Sequence, residues 1–385
     1  MPEAVLVSAL RTPVGTAFKG TLRDTTAYDL AHHIVGAAAA GLDPASVDDV
    51  ILAEGLYGGG VLARHAAITA GLTDVAGAAC NRHCAAGLTA VQNAAASIRS
   101  GMDELVIAGG VNSASTAPKA RFRVDGDEWI DPWNPPTHPD RPDAPNLDMS
   151  ITVGWNAAVL AGVSREEMDA WALRSHRNAV RAIDEGRFDG EIVPIETPHG
   201  LFSVDEHPRR GTSMEKLAAL KPLHPEIEGF SITAGNAGGA NDGAAALVVA
   251  SDRVAGQLGL PALATVRSWA SVGVDPAETG LAPVKAIPRA LARAGLSTAD
   301  VDLFEINEAF AAMCVATVGR LGLDPERVNV NGSGCSIGHP VAATGARMLV
   351  TLVHELRRRG GGVGVASMCA GGGMGSAMVI EVSAP

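Results

Sequence analysis

The sequence predicts an α/β protein of two related, layered halves with a further segment inserted between them. Three observations carry that expectation. The first is an internal echo: residues 41–55 read GLDPASVDDVILAEG and residues 295–309 read GLSTADVDLFEINEA. Each follows an Ala-rich helical stretch, AHHIVGAAAAG or RALARAG, closed by a glycine suited to a helix C-terminus. Each then passes through a polar turn into a short strand ended by Glu54 or Glu308. The second is the alternation of strand-like and helix-like runs, which implies parallel strands layered with helices and ligands at the strands' carboxyl ends. The third is a stretch between the halves that belongs to neither. The plain alternative for the echo is chance likeness between two Ala/Gly-rich segments.

Taken in order, the first half continues with the loop CNRHCAAGL, the helix TAVQNAAASIRSG and the strand DELVIAGG. The second half answers with GSGCSIGHP, VAATGARMLVTLVHELRRRG and GVGVASMCAGGG. An offset of 254 residues relates the two echoes and carries Cys84 to within one residue of His339. Residues 131–146, DPWNPPTHPDRPDAPN, hold too many prolines for a helix or a central strand and predict an irregular surface excursion. Residues 164–186 then predict an amphipathic helix. Ser164 and Glu167 form a capping box, Met168, Trp171, Ala172, Ala179 and Ile183 share one face, and Gly186 stops it. The division expected is therefore 1–118 with about 226–252 as the first half and 253–385 as the second. A loop domain, 119–225, covers a site formed by both.

At 385 residues and 47% hydrophobic, the chain can bury one large duplicated core or two ordinary ones. Its five cysteines are an odd number without a C-x-x-C pair, which points to free thiols in a reducing compartment and to no metal site. MPEAVLVSALRTP has no basic region before its apolar run, no long uncharged apolar segment occurs, and EVSAP is no peroxisomal or retention signal. The expectation is a soluble cytoplasmic protein, away from membranes. A net charge of −12 excludes a broad basic face for nucleic acid. A small anionic ligand needs only a local basic pocket.

Three residues suggest covalent chemistry. Cys84 precedes a helical run among small residues, where unsatisfied N–H groups lower a thiol's pKa and sharpen its nucleophilicity. His339, followed by Pro340 at a plausible first helical position, could take that thiol's proton. Cys369 lies in MCAGGGMG, where the glycines remove competing side chains and the N–H of Gly371 could serve an oxyanion. In FEINEAFAA the amide of Asn307 interrupts an apolar run and is suited to fixing a water or a substrate carbonyl. Arg209, Arg210, Lys216 and Lys221 cluster in DEHPRRGTSMEKLAALKP and could dock a phosphate-rich ligand. Each feature also has a plain reading: a core thiol, an exposed histidine, a glycine hairpin, a helix cap and a solvated basic surface.

Together these stretches resemble the thiolase family, the acetyl-CoA acetyltransferases and 3-ketoacyl-CoA thiolases, over nearly the whole chain. Besides the motifs above, VSALRTPVGTAFKG, ITAGNAGGANDGAAALV, NEAFA and NVNGSGCSIGHPVAATGAR carry the likeness. The resemblance implies a thiolase fold: two βαβαβαββ halves in an α-β-α-β-α arrangement with an inserted loop domain. It makes Cys84 the acylated nucleophile, His339 its base and Cys369 the thiol that moves the second proton. Asn307 would hold a water that forms one oxyanion hole with His339, and the N–H groups of Cys84 and Gly371 would form the other. Arg209, Lys216, Ala234, Gly238, Met149 and Phe310 would line the coenzyme A and acyl path. Coenzyme A is then a co-substrate, with no permanently bound cofactor.

The resemblance further implies a homodimer or homotetramer that cleaves 3-ketoacyl-CoA, as in β-oxidation and other fatty acid breakdown, or runs the reverse Claisen condensation. Departures from the family pattern bear on the substrate. Gly238 stands where a serine is frequent, Asn112 where a glutamate is, and His224 where an aromatic is. SITVGWNAA differs from the usual G-x-T-A-E-N, GLYGGGVLARHAA is short, and His83 precedes the nucleophile. A decarboxylating condensing enzyme is disfavoured because that class uses a second histidine where Cys369 stands. A non-catalytic thiolase-like partner that binds acyl-CoA is the remaining alternative.

Overall fold

The computed structural model describes residues 2–55, 57, 61–131 and 136–383. The short segment GLYGGGVLARHAA and the proline-rich excursion thus fall partly outside the described residues. The first half runs β1 (Ala4–Arg11), β2 (Gly15–Thr16), α1 (Ala27–Ala39), β3 (Asp49–Ala53), α2 (Val61–Thr69), β4 (Ala76–Cys80), α3 (Ala86–Ser100) and β5 (Leu105–Asn112). The insertion follows with β6 (Phe122–Asp125), β7 (Glu128–Ile130), α4 (Asn156–Ala161), α5 (Arg165–Asp184), β8 (Ile195–Thr197), β9 (Gly200–Phe202) and α6 (Met214–Ala218). Strand β10 (Asn241–Ser251) returns to the first half, and α7 (Asp252–Gln257) leads out of it. The second half is β11 (Ala264–Gly273), α8 (Ala282–Ala294), β12 (Leu303–Ile306), α9 (Ala311–Leu321), α10 (Val341–Arg358), β13 (Gly362–Ala370) and β14 (Met374–Val382).

Pairing makes the duplication explicit. The first half orders its strands β4-β3-β5-β10-β1, and the second orders β12-β13-β14-β11. A parallel bridge from Phe304 to Val328 supplies the place that β4 holds in the first half. In the first half β3 pairs parallel with β5, β5 antiparallel with β10 and β10 antiparallel with β1, and in the second β12, β13, β14 and β11 repeat that pattern in turn. The two sheets meet edge to edge through only two residue pairs, Val5 with Thr265 and Leu6 with Ala264.

The strands read as continuous apolar runs because both faces of each sheet are covered. Along β10, Ala245, Leu247 and Val249 face one cluster while Ala244, Ala246, Val248 and Ala250 face another. The first cluster is shared: it holds Leu88, Val91 and Ile98 of α3, Leu349, Leu352 and Leu356 of α10, and residues of both sheets. Helices α1 and α2 cover the outer face of one sheet, and α8 and α9 that of the other. The result is five layers with α3 and α10 in the middle. Those two helices touch through glycine, since a Cβ on Gly345 would collide with the Leu88 backbone nitrogen, and one on Gly87 with the Ala342 carbonyl.

Within the insertion, α5 begins at the capping box of Ser164 and Glu167 and buries Met168, Trp171, Ala172 and Ala179. Buried Arg11 ties β1 to the insertion by hydrogen bonds to Glu191 at 2.6 Å and to both oxygens of Asp205 at 2.8 and 2.9 Å. No helix among the described residues is long and apolar enough to cross a membrane.

Candidate active site

The middle layer sets the site. Cys84 stands two residues before Ala86, the first residue of α3, and His339 two residues before Val341, the first of α10. The opening turns of these helices abut at Gly87 and Ala342, which brings both side chains to the same end of the molecule. Pro340 is therefore the residue flanking α10 rather than its first helical residue, one position from the expectation.

His339 is buried and held on three sides. Its N–H donates to Asn241 Oδ1 at 2.9 Å, and Asn241 in turn donates to the Gly15 carbonyl at 2.9 Å. Ring Nδ1 lies 2.7 Å from Thr344 Oγ1, whose single proton goes to the Pro340 carbonyl at 2.9 Å. Nδ1 must then be the donor, which leaves the Nε2 lone pair as the ring's acceptor. Asn307 Nδ2 approaches that Nε2 at 3.4 Å. Burial first, and then the positive charge of Arg347, push the imidazole down to about 3, so it is neutral at ordinary pH.

Asn307 is not a helix cap: α9 begins at Ala311 with Phe310 flanking it. Its Oδ1 is buried without a hydrogen-bond partner among the described residues. The next residue, Glu308, is buried and accepts from Trp171 at 2.9 Å, Ser175 at 2.6 Å, Asn329 at 2.9 Å and the Cys335 N–H at 3.1 Å. This carboxylate pins the loop that carries Asn307 to α5 of the insertion.

Cys84 is partly exposed, and all five cysteines are free. The backbone N–H groups of Gly371 and of Cys84 itself both act to lower its thiol pKa. Burial nevertheless dominates and pushes the thiol up to about 11, the opposite of the lowering expected from its place before a helix. Cys369 is buried next to Cys84, and burial together with that neighbour pushes its thiol well up. Its S–H donates to the Met313 thioether at 3.6 Å. Both thiols are thus protonated at rest. Gly371 opens the β13–β14 turn, where Gly372 and Gly373 have φ values of 87° and 73°.

The insertion covers this point. A side chain on Gly371 would meet Thr137 Cγ2 at 3.2 Å, Met149 Sδ at 3.7 Å and His83 Cγ at 3.9 Å. Phe310 packs over Gly154, and a Cβ on Gly238 would press on the Glu308 carbonyl and on His339 Cβ. Arg209 and Lys216 line a cavity of about 310 Å³ with Gly211, Thr212, Leu217 and Leu220. Exposed Ala234 lies next to Gly235, which packs against Leu217 and Leu220 of that cavity. Segment 234–238 therefore runs from the basic cavity to His339. Arg210 is instead paired with Asp184 at 2.6 Å. A larger cavity of about 510 Å³ along α5, lined by Arg174, Arg177 and Arg181, includes none of the reactive side chains.

Sequence reasoning passed over Thr344, Asn241, Met313 and Thr137. Thr344 carried a usable signal, since it faces back over the first turn of the helix that His339 introduces. The other three arrive from distant strands, helices or loops and had none. Among the departures, Asn112 is buried and donates to the Asn241 carbonyl at 2.9 Å. His224 pairs with Asp148 at 2.9 Å and Glu226 at 2.8 Å while its ring meets Phe230 edge-on. No group of His, Cys, Asp and Glu side chains among the described residues is arranged to hold a metal ion.

The arrangement of thiol, imidazole, second thiol and converging N–H groups suits acyl transfer through a covalent thioester. Residues 4–253 match the model of the thiolase N-terminal domain and residues 260–382 that of the thiolase C-terminal domain. The chain is 42% identical to the acetyl-CoA acetyltransferase of Escherichia coli K12 over 402 residues, covering 99% of each. It is 39% identical to the 3-ketoacyl-CoA thiolase of Bacillus subtilis over 414 residues, covering 99% of this chain and 100% of the other. Its structure superposes on that of the Bacillus anthracis acetyl-CoA acetyltransferase with a TM-score of 0.90, at 41% identity and 99% coverage of each chain. On human mitochondrial 3-ketoacyl-CoA thiolase the TM-score is 0.91, at 37% identity, covering 100% of this chain and 99% of the other. The site, the fold and the full-length likeness agree: this chain belongs to the thiolase family.

Proposed function

We propose that this thiolase carries an acyl group between Cys84 and coenzyme A, cleaving 3-ketoacyl-CoA or running the condensation in reverse, with the roles as follows. His339 Nε2 takes the Cys84 proton as the sulfur attacks the keto carbon. A thiol near 11 and an imidazole near 3 do not form an ion pair at rest, so the proton moves as the carbon–sulfur bond forms. The oxyanion that develops accepts the N–H groups of Cys84 and Gly371. Its collapse breaks the carbon–carbon bond and releases an enolate, whose carbon takes the Cys369 proton. The Cys369 thiolate then removes the proton of a second coenzyme A, whose sulfur attacks the Cys84 thioester. His339 returns its proton to Cys84 and closes the cycle.

Asn307, with an unpartnered buried oxygen and an amide nitrogen next to His339, is suited to holding the water of the second oxyanion hole. Arg209 and Lys216 are suited to the phosphates of coenzyme A, with Ala234, Gly238, Phe310 and Met149 along the pantetheine and acyl path. Five free thiols support a cytoplasmic setting. The family resemblance supports a dimer or tetramer of identical chains, and β-oxidation as one pathway it could serve.

The convergence of the Gly371 N–H on the Cys84 sulfur, with His339 held as a neutral base, carries this reading. The test is coenzyme A-dependent cleavage of 3-ketoacyl-CoA esters of graded length, with Cys84→Ala and Cys369→Ala as controls. Cleavage lost in both variants supports the assignment. A folded protein that binds coenzyme A and cleaves none of the esters would instead be the non-catalytic partner.

A further inference from the structure

His83, directly before the nucleophile, takes no part in the chemistry above. It is one of three non-glycine residues with positive φ among the described residues, at 47°. That left-handed conformation crowds a Cβ, and glycine or asparagine would adopt it more easily. Its backbone is held in place, the N–H donating to Asn81 Oδ1 at 2.8 Å and the carbonyl accepting from Ala86 at 3.0 Å. The turn directs the ring toward Gly371, whose N–H faces the Cys84 sulfur.

Three side chains therefore surround the space over Gly371, the residue whose backbone N–H acts to lower the Cys84 thiol pKa, and they differ in what they offer. Met149 presents a thioether and Thr137 its methyl group. The Thr137 hydroxyl is engaged with His138 Nδ1 at 2.7 Å. The His83 ring is partly buried and makes no hydrogen bond to any described residue, and burial alone lowers its pKa. A neutral imidazole offers one donor and one acceptor. A hydrocarbon chain packed against it would strip its water and return nothing. An oxygen on the chain would replace that water.

We propose that His83 sets acyl specificity, favouring 3-ketoacyl groups that bear a hydroxyl, keto or carboxylate oxygen along the chain over hydrocarbon chains of the same length. The proposal rests on Cys84 being the acylated residue. A site that leaves a buried polar group unpaired discriminates against the analogue that lacks its partner, whereas an apolar pocket separates such pairs weakly.

The test compares kcat/KM for 3-ketohexanoyl-CoA with its hydroxylated and terminal-carboxylate counterparts, with acetoacetyl-CoA as a common reference. The wild type should prefer at least one oxygenated chain by about 10-fold, and His83→Gly, which suits the left-handed backbone and removes the ring, should erase that preference. His83→Asn should keep part of it. Melting temperatures establish that each variant is folded. A wild type that favours the hydrocarbon chain, or a folded His83→Gly protein with the same ratio as wild type, overturns the proposal. Loss of all cleavage in the wild type, acetoacetyl-CoA included, would overturn the thiolase roles and the specificity proposal together, and is distinguishable from both.

Discussion

The backbone N–H of Gly371 stabilises the thiolate form of Cys84, although the two residues belong to different halves of the chain. The contact crosses from the β13–β14 turn of one half to the mouth of α3 in the other. A Gly371→Ala substitution would set a methyl group 3.2 Å from Thr137 Cγ2 and shift the N–H proposed to receive the oxyanion. Loss of one such donor costs on the order of 100-fold in kcat, and a similar fall is expected here with the melting temperature unchanged. A rate within about 2-fold of wild type would remove Gly371 from the oxyanion hole.

Thr344→Val removes the acceptor for His339 Nδ1–H and frees the ring to adopt the wrong tautomer. We expect kcat to fall by about 10- to 100-fold with KM for acyl-CoA unaltered, because the proposed role of the ring is on the reacting thiol rather than in binding. Thr344→Ser should restore most of the rate. A Thr344→Val rate equal to wild type would mean that the hydroxyl does not set the tautomer.

The protonation states make a distinct demand. With burial holding Cys84 up near 11, its thiolate fraction grows tenfold per pH unit below that value. Alkylation of the free enzyme by iodoacetamide should therefore quicken roughly tenfold per unit across the neutral to mildly alkaline range. His339 is neutral throughout that range, since it protonates only near 3. A rate that levels off near neutrality would reveal a resting thiolate–imidazolium pair.

Arg209→Ala combined with Lys216→Ala should raise KM for coenzyme A by about 10-fold or more, most of it at low salt, and leave kcat nearly untouched. The cavity they line stands away from the thiols, so a fall in kcat without a change in KM would show that the coenzyme docks elsewhere.

Arg11→Leu would leave Glu191 and Asp205 buried without their cation. Breaking a buried pair in this way costs about 3–5 kcal/mol, to be read as a lowered midpoint in denaturant. A loss below about 1 kcal/mol would mean that water reaches the carboxylates.

Much of the site was legible because glycines and helix entries punctuate the chain. Cys84, His339 and Cys369 each stand where a strand or loop meets such a signal, and the echo relates the first two. The single-residue misplacement of Pro340 is the ordinary uncertainty of a helix end. The Cys84 thiol was misjudged for a better reason. Sequence shows the N–H donors that a helix start provides, but not the depth of cover that the insertion and the second half supply. Met313 and Thr137 were invisible likewise, since their roles exist only once α9 and the insertion have closed over Cys369 and Gly371.

Cys84 and His339 occupy the same station in the two halves, each two residues ahead of a central helix. Two separate copies of a single half could assemble around the same axis only with identical residues there, two sulfurs or two imidazoles. Joining the copies into one polypeptide frees each station to diverge, so that one can carry the proposed nucleophile and the other its proposed base. The reaction is thus a division of labour that symmetry forbids and covalent fusion permits.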